Sequence, residues 1–238
     1  MADTHRFFHP DALIAHSTVS LGADTSKHIW QVLRMDEGDT LQLTDGAGTV
    51  ATGIIQFADR HKVNVKITNS TFEPRNGGKL HLCVAFTRNN SRNEWLLEKA
   101  TELGVASIIP VSSDRFHKAH IRVDRWEKIL QSAILQSQQA YLPALSPMVS
   151  VKDALAAIAG IPQKYIAHCI EDQPRTSFAT LLNVATDAAV FIGPEGDFTP
   201  DEVNLCIAAG CMPVSLGRQR LRTETAAITV AAHFNLVS

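Results

Sequence analysis

Two stretches decide how this chain is interpreted: FIGPEGDFTP at residues 191–200 and LGRQRLRTETA at residues 216–226. An apolar run at 188–192 leads into the first, and glycines follow it at once, which is typical of a buried strand that ends in a turn. A second apolar run at 211–216 ends in the same way at Gly217. If the two strands are adjacent in an open α/β sheet, their carboxyl ends form a ligand-binding crevice. Two ordinary strand–helix turns would produce the same pattern, so the pattern alone leaves both interpretations open.

The residues after each strand predict a helix. Thr199, Pro200 and Glu202 fit an N-cap, a first-turn proline and a capping-box acid, and Gly210 fits the end of that helix. An alanine-rich helix is predicted from about residue 224 to 234, after the basic stretch.

Strands and helices also alternate earlier in the chain, which predicts a parallel α/β sheet of about five strands. The remaining strands are predicted at 80–86, 105–110 and 165–170. Ser91 with Glu94, and Asp124 with Glu127, predict the starts of two intervening helices.

The first part of the chain has a different pattern. Apolar and polar residues alternate at 40–44, 50–57 and 62–68, which predicts a small β-barrel. The segment 27–35 is predicted to be helical and to cover the barrel with Ile29, Trp30, Val32 and Leu33. The predicted organisation is a barrel domain at 1–72, a linker at 73–79 and an α/β domain at 80–238.

The composition is that of a globular protein, with 45% hydrophobic and 19% charged residues. The formal net charge is −2, so if a nucleic acid binds, its phosphates have to be contacted by local clusters of basic residues. The four cysteines lack CxxC spacing, which predicts buried free thiols in a reducing, cytoplasmic compartment. No signal peptide or membrane span is predicted, and the histidines lack metal-ligand spacing, so no metal site is expected.

The two opening stretches resemble the cofactor loops of the SPOUT class of RNA methyltransferases. Their GPEG and LGxxxLRTETA motifs are most similar to the RsmE family, which methylates N3 of a uridine in 16S rRNA. EKATELGV at 98–105 matches a further family signature, and RFF at 6–8 and VLR at 32–34 match weaker ones. The resemblance spans nearly the whole chain.

This resemblance implies a C-terminal SPOUT domain with a trefoil-knotted parallel sheet, preceded by a PUA-like RNA-binding barrel. It also implies a homodimer, S-adenosyl-L-methionine as cofactor, and a uridine of the assembled small ribosomal subunit as substrate. Two alternatives stay open. One is a SPOUT methyltransferase acting on another base or a ribose 2′-hydroxyl, and the other is a non-catalytic ribosome-assembly protein that binds RNA.

The resemblance assigns candidate residues to the cofactor. They are Ile192, Gly193, Pro194, Glu195, Gly196, Leu216, Gly217, Leu221, Arg222 and Thr223. Backbone groups are expected to make most of these contacts, because glycines let the chain approach a ligand closely.

Arg222 and Glu224 are the candidate catalytic residues. A guanidinium near uracil O2 or O4 would favour the deprotonated ring, and Glu224 is a candidate proton acceptor. Alternatively, Arg222 pairs with Glu224 or Glu195 and braces the loops, and Glu224 only complements the helix dipole.

Candidate RNA-binding residues are arginines spread along the chain, which would contact phosphates without reading sequence. They are Arg6, Arg34, Arg88, Arg92, Arg115, Arg125, Arg218 and Arg220. Three departures from the family pattern are TRNNSRNE at 87–94, the missing arginine after QSQQ at 136–139, and Asp197 in place of a glycine. We expect Asp197 to lie just before a helix N-terminus, where it could act as a cap.

Overall fold

The computed structural model of the protein describes residues 4–113, 123–170 and 173–236. The chain forms two compact units. The first contains residues 1–75 together with 134–142, and the second contains residues 76–133 and 143–238.

The first unit is built on a five-stranded sheet with the order β1-β3-β4-β5-β2. Its strands are β1 (Arg6–Phe8), β2 (Thr18–Leu21), β3 (Thr40–Thr44), β4 (Thr49–Ala58) and β5 (Val63–Phe72). β1 runs parallel to β3, and the other neighbours are antiparallel. Two register shifts in the β4–β5 ladder bend the sheet, because a bulge increases the local twist. The predicted small barrel is thus a curled sheet around an apolar core that includes Leu41, Leu43 and Val65.

The segment after β2 is helical, as predicted, but only part of it covers the core. It consists of α1 (Ala23–Lys27) and a π-helical turn (His28–Leu33). Ile29 is fully buried and Leu33 packs on the core. Trp30 and Val32 are 43% and 65% exposed, so the predicted covering role is wrong for these two residues. The wider π-helical turn changes the angular spacing of side chains on which that prediction depended.

The second unit is built on an eight-stranded sheet whose ladders are all parallel. Its strands are β6 (Leu80–Val84), β7 (Ser107–Ser112), β8 (Ala144–Leu145), β9 (Val149–Ser150), β10 (Gln163–Ala167), β11 (Thr176–Ser177), β12 (Ala188–Ile192) and β13 (Met212–Ser215). The order is β11-β13-β10-β12-β6-β7-β8, and β9 pairs with β7 outside this path. The predicted α/β class and parallel sheet are confirmed. The knot stays a prediction.

All five strands predicted for this sheet are present, and three two-residue strands add to them. One expectation about their arrangement is wrong. The two strands that precede the glycine turns, β12 and β13, are not adjacent, because β10 lies between them and pairs with both. The end of β10 therefore belongs to the same edge of the sheet as the two glycine turns.

The helices of the second unit connect these strands. They are α2 (Asn90–Glu102), α3 (Val123–Gln136), α4 (Val151–Ala157), α5 (Phe178–Leu181), α6 (Pro200–Ala208) and α7 (Thr223–Leu236). The division into units assigns the last residues of α3 to the first unit.

Two predicted helix starts have different outcomes. The capping box of α6 is confirmed: the Thr199 side chain accepts from the backbone N–H of Glu202, and the Glu202 side chain accepts from that of Thr199. The capping box predicted at Ser91 is wrong. Asn89 caps α2 instead, with its side-chain oxygen 3.0 Å from the backbone nitrogen of Ser91. The extended backbone of Asn89 (φ −89°, ψ 102°) suits a cap, whereas Ser91 already lies inside the helix.

The cysteines are free, as predicted. Cys83, Cys206 and Cys211 are buried in one apolar cluster with Phe191. Cys169 is exposed, and the prediction of burial is wrong for it, because it follows β10 rather than lying in that strand. No helix within the described ranges has the length and apolar character needed to cross a membrane.

Candidate functional site

A cavity of about 600 Å³ lies at the carboxyl ends of β10, β12 and β13. Pockets of this size, between roughly 300 and 1,000 Å³, bind small ligands in proteins. The cavity is lined by Ala167, His168, Cys169, Arg175, Ile192, Gly193, Pro194, Glu195, Asp197, Val214, Ser215, Leu216, Gly217, Arg218, Gln219, Arg220, Leu221, Arg222, Thr223 and Ala226. Every predicted cofactor-contact residue except Gly196 is in this set.

The loop after β12 is held against the start of α7. The Thr223 hydroxyl donates to the carbonyl oxygen of Gly193 at 2.8 Å. A Cβ on Gly193 would lie 3.1 Å from the backbone nitrogen of Phe198, which is closer than ordinary packing allows. Glycine suits this position, because a Cβ would require the closely folded loop to shift by a few tenths of an ångström.

The loop after β13 supplies the arginine-rich side of the cavity. Gly217 has φ +140°, a conformation that favours glycine. Arg218, Arg220 and Arg222 are exposed on this loop. Among residues 4–113, 123–170 and 173–236, no carboxylate forms an ion pair with Arg222, so the structure does not support the alternative in which Arg222 pairs with Glu195 or Glu224.

Arg92, in the first turn of α2, forms ion pairs with both of these glutamates instead. Its Nη1 lies 2.7 Å from Oε1 of Glu195, and its Nε lies 3.6 Å from Oε1 of Glu224. One guanidinium therefore connects α2, the loop after β12 and the start of α7.

The surroundings of Glu224 suit a bracing residue. Glu224 is buried, and it is absent from the set of cavity-lining residues. Oε2 of Glu224 has no hydrogen-bond partner among the described residues. A buried carboxylate with one nearby cation depends on that cation for its charge.

Nine cavity-lining residues were not predicted as site residues, and three of these have acidic or basic side chains: His168, Arg175 and Asp197. His168 and Arg175 follow β10, and they were missed because strand order cannot be derived from hydrophobic patterns. The polar His168 within the apolar run 165–170 was the available signal. Asp197 does not cap α6, since Thr199 does. Its Oδ2 accepts a hydrogen bond from the backbone nitrogen of Cys169 at 2.6 Å.

His168 is buried, and one of its ring nitrogens accepts a hydrogen bond. Nδ1 accepts from the backbone nitrogen of Ile170 at 3.2 Å, which places the hydrogen of the neutral ring on Nε2. Burial lowers the pKa of His168 below 6.5, Asp197 raises it, and Arg175 lowers it further. His168 is therefore a neutral side chain at pH 7.

The arginines predicted to bind RNA differ in their surroundings. In the first unit, the Arg6 guanidinium binds Oε1 of Gln42 at 3.0 Å and the carbonyl oxygen of Gln138, while Arg34 is exposed at the end of the π-helical turn. In the second unit, Arg125 forms two hydrogen bonds, of 2.5 and 2.7 Å, with the carboxylate of Glu94.

Four further arginines of that predicted set lie in the second unit. Arg88 is exposed before α2, and Arg92 is paired as described above. Arg218 and Arg220 line the cavity. Arg115 lies outside the described residues.

No group of three or more His, Cys, Asp or Glu side chains is placed to hold a metal ion in the part of the chain that the structure describes.

The chain is similar to known proteins over most of its length. A family model described as an RNA methyltransferase domain matches residues 74–235, and one described as an RNA methyltransferase PUA domain matches residues 21–68. The ribosomal RNA small subunit methyltransferase E of Rickettsia conorii is 26% identical over 235 residues, covering 98% of this chain and 96% of the relative.

Two solved structures are also similar. One, described as a probable rRNA-methyltransferase from Porphyromonas gingivalis, has a TM-score of 0.88 and 34% identity, with 95% of each chain covered. The other is the ribosomal RNA small subunit methyltransferase E of Neisseria gonorrhoeae bound to S-adenosyl methionine, with a TM-score of 0.86, 28% identity and 98% coverage of each chain. With a PUA domain before an RNA methyltransferase domain, and both cofactor-loop motifs at one cavity, this chain belongs to the ribosomal RNA small subunit methyltransferase E (RsmE) family.

Proposed function

We propose that this protein methylates N3 of one uridine in the 16S rRNA of the assembled small ribosomal subunit, with S-adenosylmethionine as methyl donor. The observation that carries the proposal is the single cavity shared by the GPEG loop, the LRTETA loop and an arginine that has no carboxylate partner among the described residues. The family assignment and the cofactor-bound Neisseria gonorrhoeae relative support it.

The residues of the cavity fit S-adenosylmethionine. Ile192, Leu216 and Leu221 provide apolar walls, and Gly217, whose Cβ position is open, leaves room for a ligand to approach closely. Glu195 adds a carboxylate to the cavity lining, and its negative charge would favour a positively charged cofactor. When bound, S-adenosylmethionine supplies an electrophilic methyl group for transfer to the uracil nitrogen.

Arg222 is the proposed catalytic residue. Uracil must lose its N3 proton before the nitrogen can accept a methyl group, and negative charge then spreads to O2 and O4. A guanidinium directed at either oxygen stabilises that charge, most strongly where water is excluded. Arg222 is available for this role because it lines the cavity without a carboxylate partner in the described ranges.

The position of Glu224 favours a bracing role over the proton-acceptor role that the motif suggested. It lies beside Arg92 and does not line the cavity. In this proposal the proton of uracil leaves to solvent, and Arg222 lowers the cost of ionising the ring.

RNA contact is proposed for the exposed arginines that remain directed to solvent or to the cavity. These include Arg34 in the first unit and Arg218 and Arg220 in the second. Arg92 and Arg125 are already engaged with carboxylates, so binding of a phosphate there has to compete with an existing ion pair. We also propose a homodimer in the cytoplasm, on the strength of the family resemblance.

The test is to incubate the purified protein with labelled S-adenosylmethionine and small subunits from a strain lacking this activity, followed by reverse transcription along the rRNA. Methylation of N3 blocks base pairing and should stop the transcriptase at one uridine. Label without a stop would contradict the N3 assignment and favour another RNA position. Cofactor binding without label on any RNA would favour a non-catalytic assembly protein.

A further inference from the structure

The peptide group that joins His168 to Cys169 is held by a charged side chain on each side. Its carbonyl oxygen accepts a hydrogen bond from Nη1 of Arg175 at 2.7 Å. Its N–H donates to Oδ2 of Asp197 at 2.6 Å. This peptide directly follows β10, and all four residues line the cavity.

The two charges are arranged favourably for a peptide. The positive guanidinium meets the partially negative oxygen, and the negative carboxylate meets the partially positive N–H. Hydrogen bonds with one ionised partner are shorter and about twice as strong as neutral ones. The peptide plane between Arg175 and Asp197 therefore has little freedom to rotate.

Asp197 has a left-handed backbone conformation at the position from which its side chain contacts this peptide. Its φ of +64° lies in the left-handed region, which most residues avoid but which glycine, Asn and Asp can adopt. Its second carboxylate oxygen, Oδ1, accepts from the backbone nitrogen of Phe198 at 2.8 Å. The local bond from Oδ1 supports this backbone conformation, and it leaves Oδ2 free to accept from Cys169.

These hydrogen bonds join three segments of the cavity wall. Asp197 belongs to the loop after β12, the clamped peptide follows β10, and Arg175 lies directly before β11. The carboxylate is also packed closely, because a Cβ on Gly193 would come within 3.1 Å of Oδ1 of Asp197. The shape of this side of the cavity thus depends on one pair of opposite charges.

We propose that Arg175 and Asp197 are positioning residues that clamp the His168–Cys169 peptide and so set the affinity of the cavity for S-adenosylmethionine. This inference rests on the proposed function for the identity of the ligand. Neither side chain acts on the reacting atoms. Loss of the clamp therefore weakens binding of the cofactor in the ground state and the transition state alike, which raises KM and leaves kcat nearly unchanged.

The experiment measures the Kd of S-adenosylmethionine for the full-length protein by calorimetry, together with KM and kcat. Asp197→Gly removes the carboxylate while suiting the left-handed backbone, so this variant isolates the side chain. Asp197→Gly and Arg175→Ala should each weaken binding by about tenfold, the scale of one charge-assisted hydrogen bond. The double variant should lose much less than the product of the two single effects, because both side chains hold the same peptide.

Conservative variants separate positioning from a general effect on folding. Asp197→Asn keeps an acceptor oxygen and tolerates the left-handed backbone, and Arg175→Lys keeps a positive donor, so each should restore part of the lost affinity. Asp201→Asn, which changes an exposed acid in the first turn of α6, is the matched control and should bind like the unaltered protein. Thermal unfolding of every variant reports on its fold.

Three outcomes would overturn the inference. They are unchanged binding in Asp197→Gly and Arg175→Ala, fully multiplicative losses in the double variant, and a fall in kcat at constant KM. If the unaltered protein binds S-adenosylmethionine, these outcomes leave the proposed function intact. If the unaltered protein does not bind S-adenosylmethionine, both the inference and the proposed function fail.

Discussion

At the scale of single residues, neighbours decide what each charged side chain can do. From the sequence, Arg222 was the arginine considered as a partner for Glu195 or Glu224, and Arg92 was predicted to bind RNA. The structure places Arg92 between the two carboxylates and leaves Arg222 without one among the described residues. A guanidinium without a carboxylate partner keeps its charge for the substrate, whereas a paired one stabilises the scaffold.

Arg222→Ala should reduce the rate of methyl transfer by about 10²-fold or more, if the guanidinium acts on the developing charge of the uracil ring. Arg222→Lys should recover part of this decrease, because it keeps the charge without the planar donor geometry. Single-turnover kinetics on small subunits measures the effect. Lys152→Ala, at an exposed position of α4, should not change the rate. A decrease confined to RNA affinity would assign Arg222 to phosphate binding instead.

His168 should make stability depend on pH. Burial lowers the pKa of His168 in the folded protein below 6.5. As the pH falls below 6.5, the unfolded chain therefore binds more protons at this residue than the folded protein does. Stability contributed by the neutral ring is therefore present above pH 6.5 and is lost on acidification. We expect His168→Gln to flatten the fall in unfolding free energy between pH 7 and 5, as measured by urea denaturation. Parallel curves for the two proteins would contradict this.

At the scale of elements, the helix starts that could be predicted are those whose capping residues are fixed by the local sequence. The Thr199–Glu202 box of α6 is a local pattern that its own sequence completes. The start of α2 depended instead on which of several polar residues adopts an extended backbone, and Asn89 does so. The ion pairs of Arg92 then connect α2 with α7, so the stability of these two helices is coupled.

Arg92→Ala should destabilise the protein, because it leaves the buried carboxylate of Glu224 without its cation. Breaking a fully buried pair costs about 3–5 kcal/mol. We expect about 1–2 kcal/mol here, since the Arg92 side chain is 32% exposed and its Nε lies 3.6 Å from the carboxylate.

The matched experiment adds Glu224→Gln to the Arg92→Ala protein. Removing the negative charge should recover much of the lost stability, because an amide is cheaper to bury than an unpaired carboxylate. Chemical denaturation of the four members of this cycle gives the coupling energy. Additive effects would mean that the two side chains do not interact.

At the scale of the whole molecule, net charge and local charge have to be distinguished. The formal net charge is −2, so the protein has no general attraction for RNA. The exposed arginines of the loop after β13, Arg218 and Arg220, concentrate positive charge at the proposed substrate site. RNA binding should therefore depend on a few positions and should weaken steeply with salt.

Replacing Arg218 or Arg220 with alanine should weaken RNA binding at low salt. It should also reduce the slope of log K against log salt concentration by about one for each phosphate that the variant no longer neutralises. Fluorescence anisotropy with an rRNA fragment over a salt series measures this. Lys152→Ala should leave the slope unchanged. Equal slopes for the arginine variants and the unaltered protein would exclude phosphate binding at these two positions.

Sequence by itself determined the α/β class, the five central strands, the capping box of α6 and the residues of both glycine loops. It could do so because apolar periodicity, caps and glycine turns are local, and because the motif residues are contiguous in the chain.

Only the tertiary structure decided that β10 separates β12 from β13, that Arg92 pairs with both glutamates, and that Arg175 and Asp197 hold one peptide between them. Strand order and long-range ion pairs depend on which segments meet in space, and no local pattern encodes those distances.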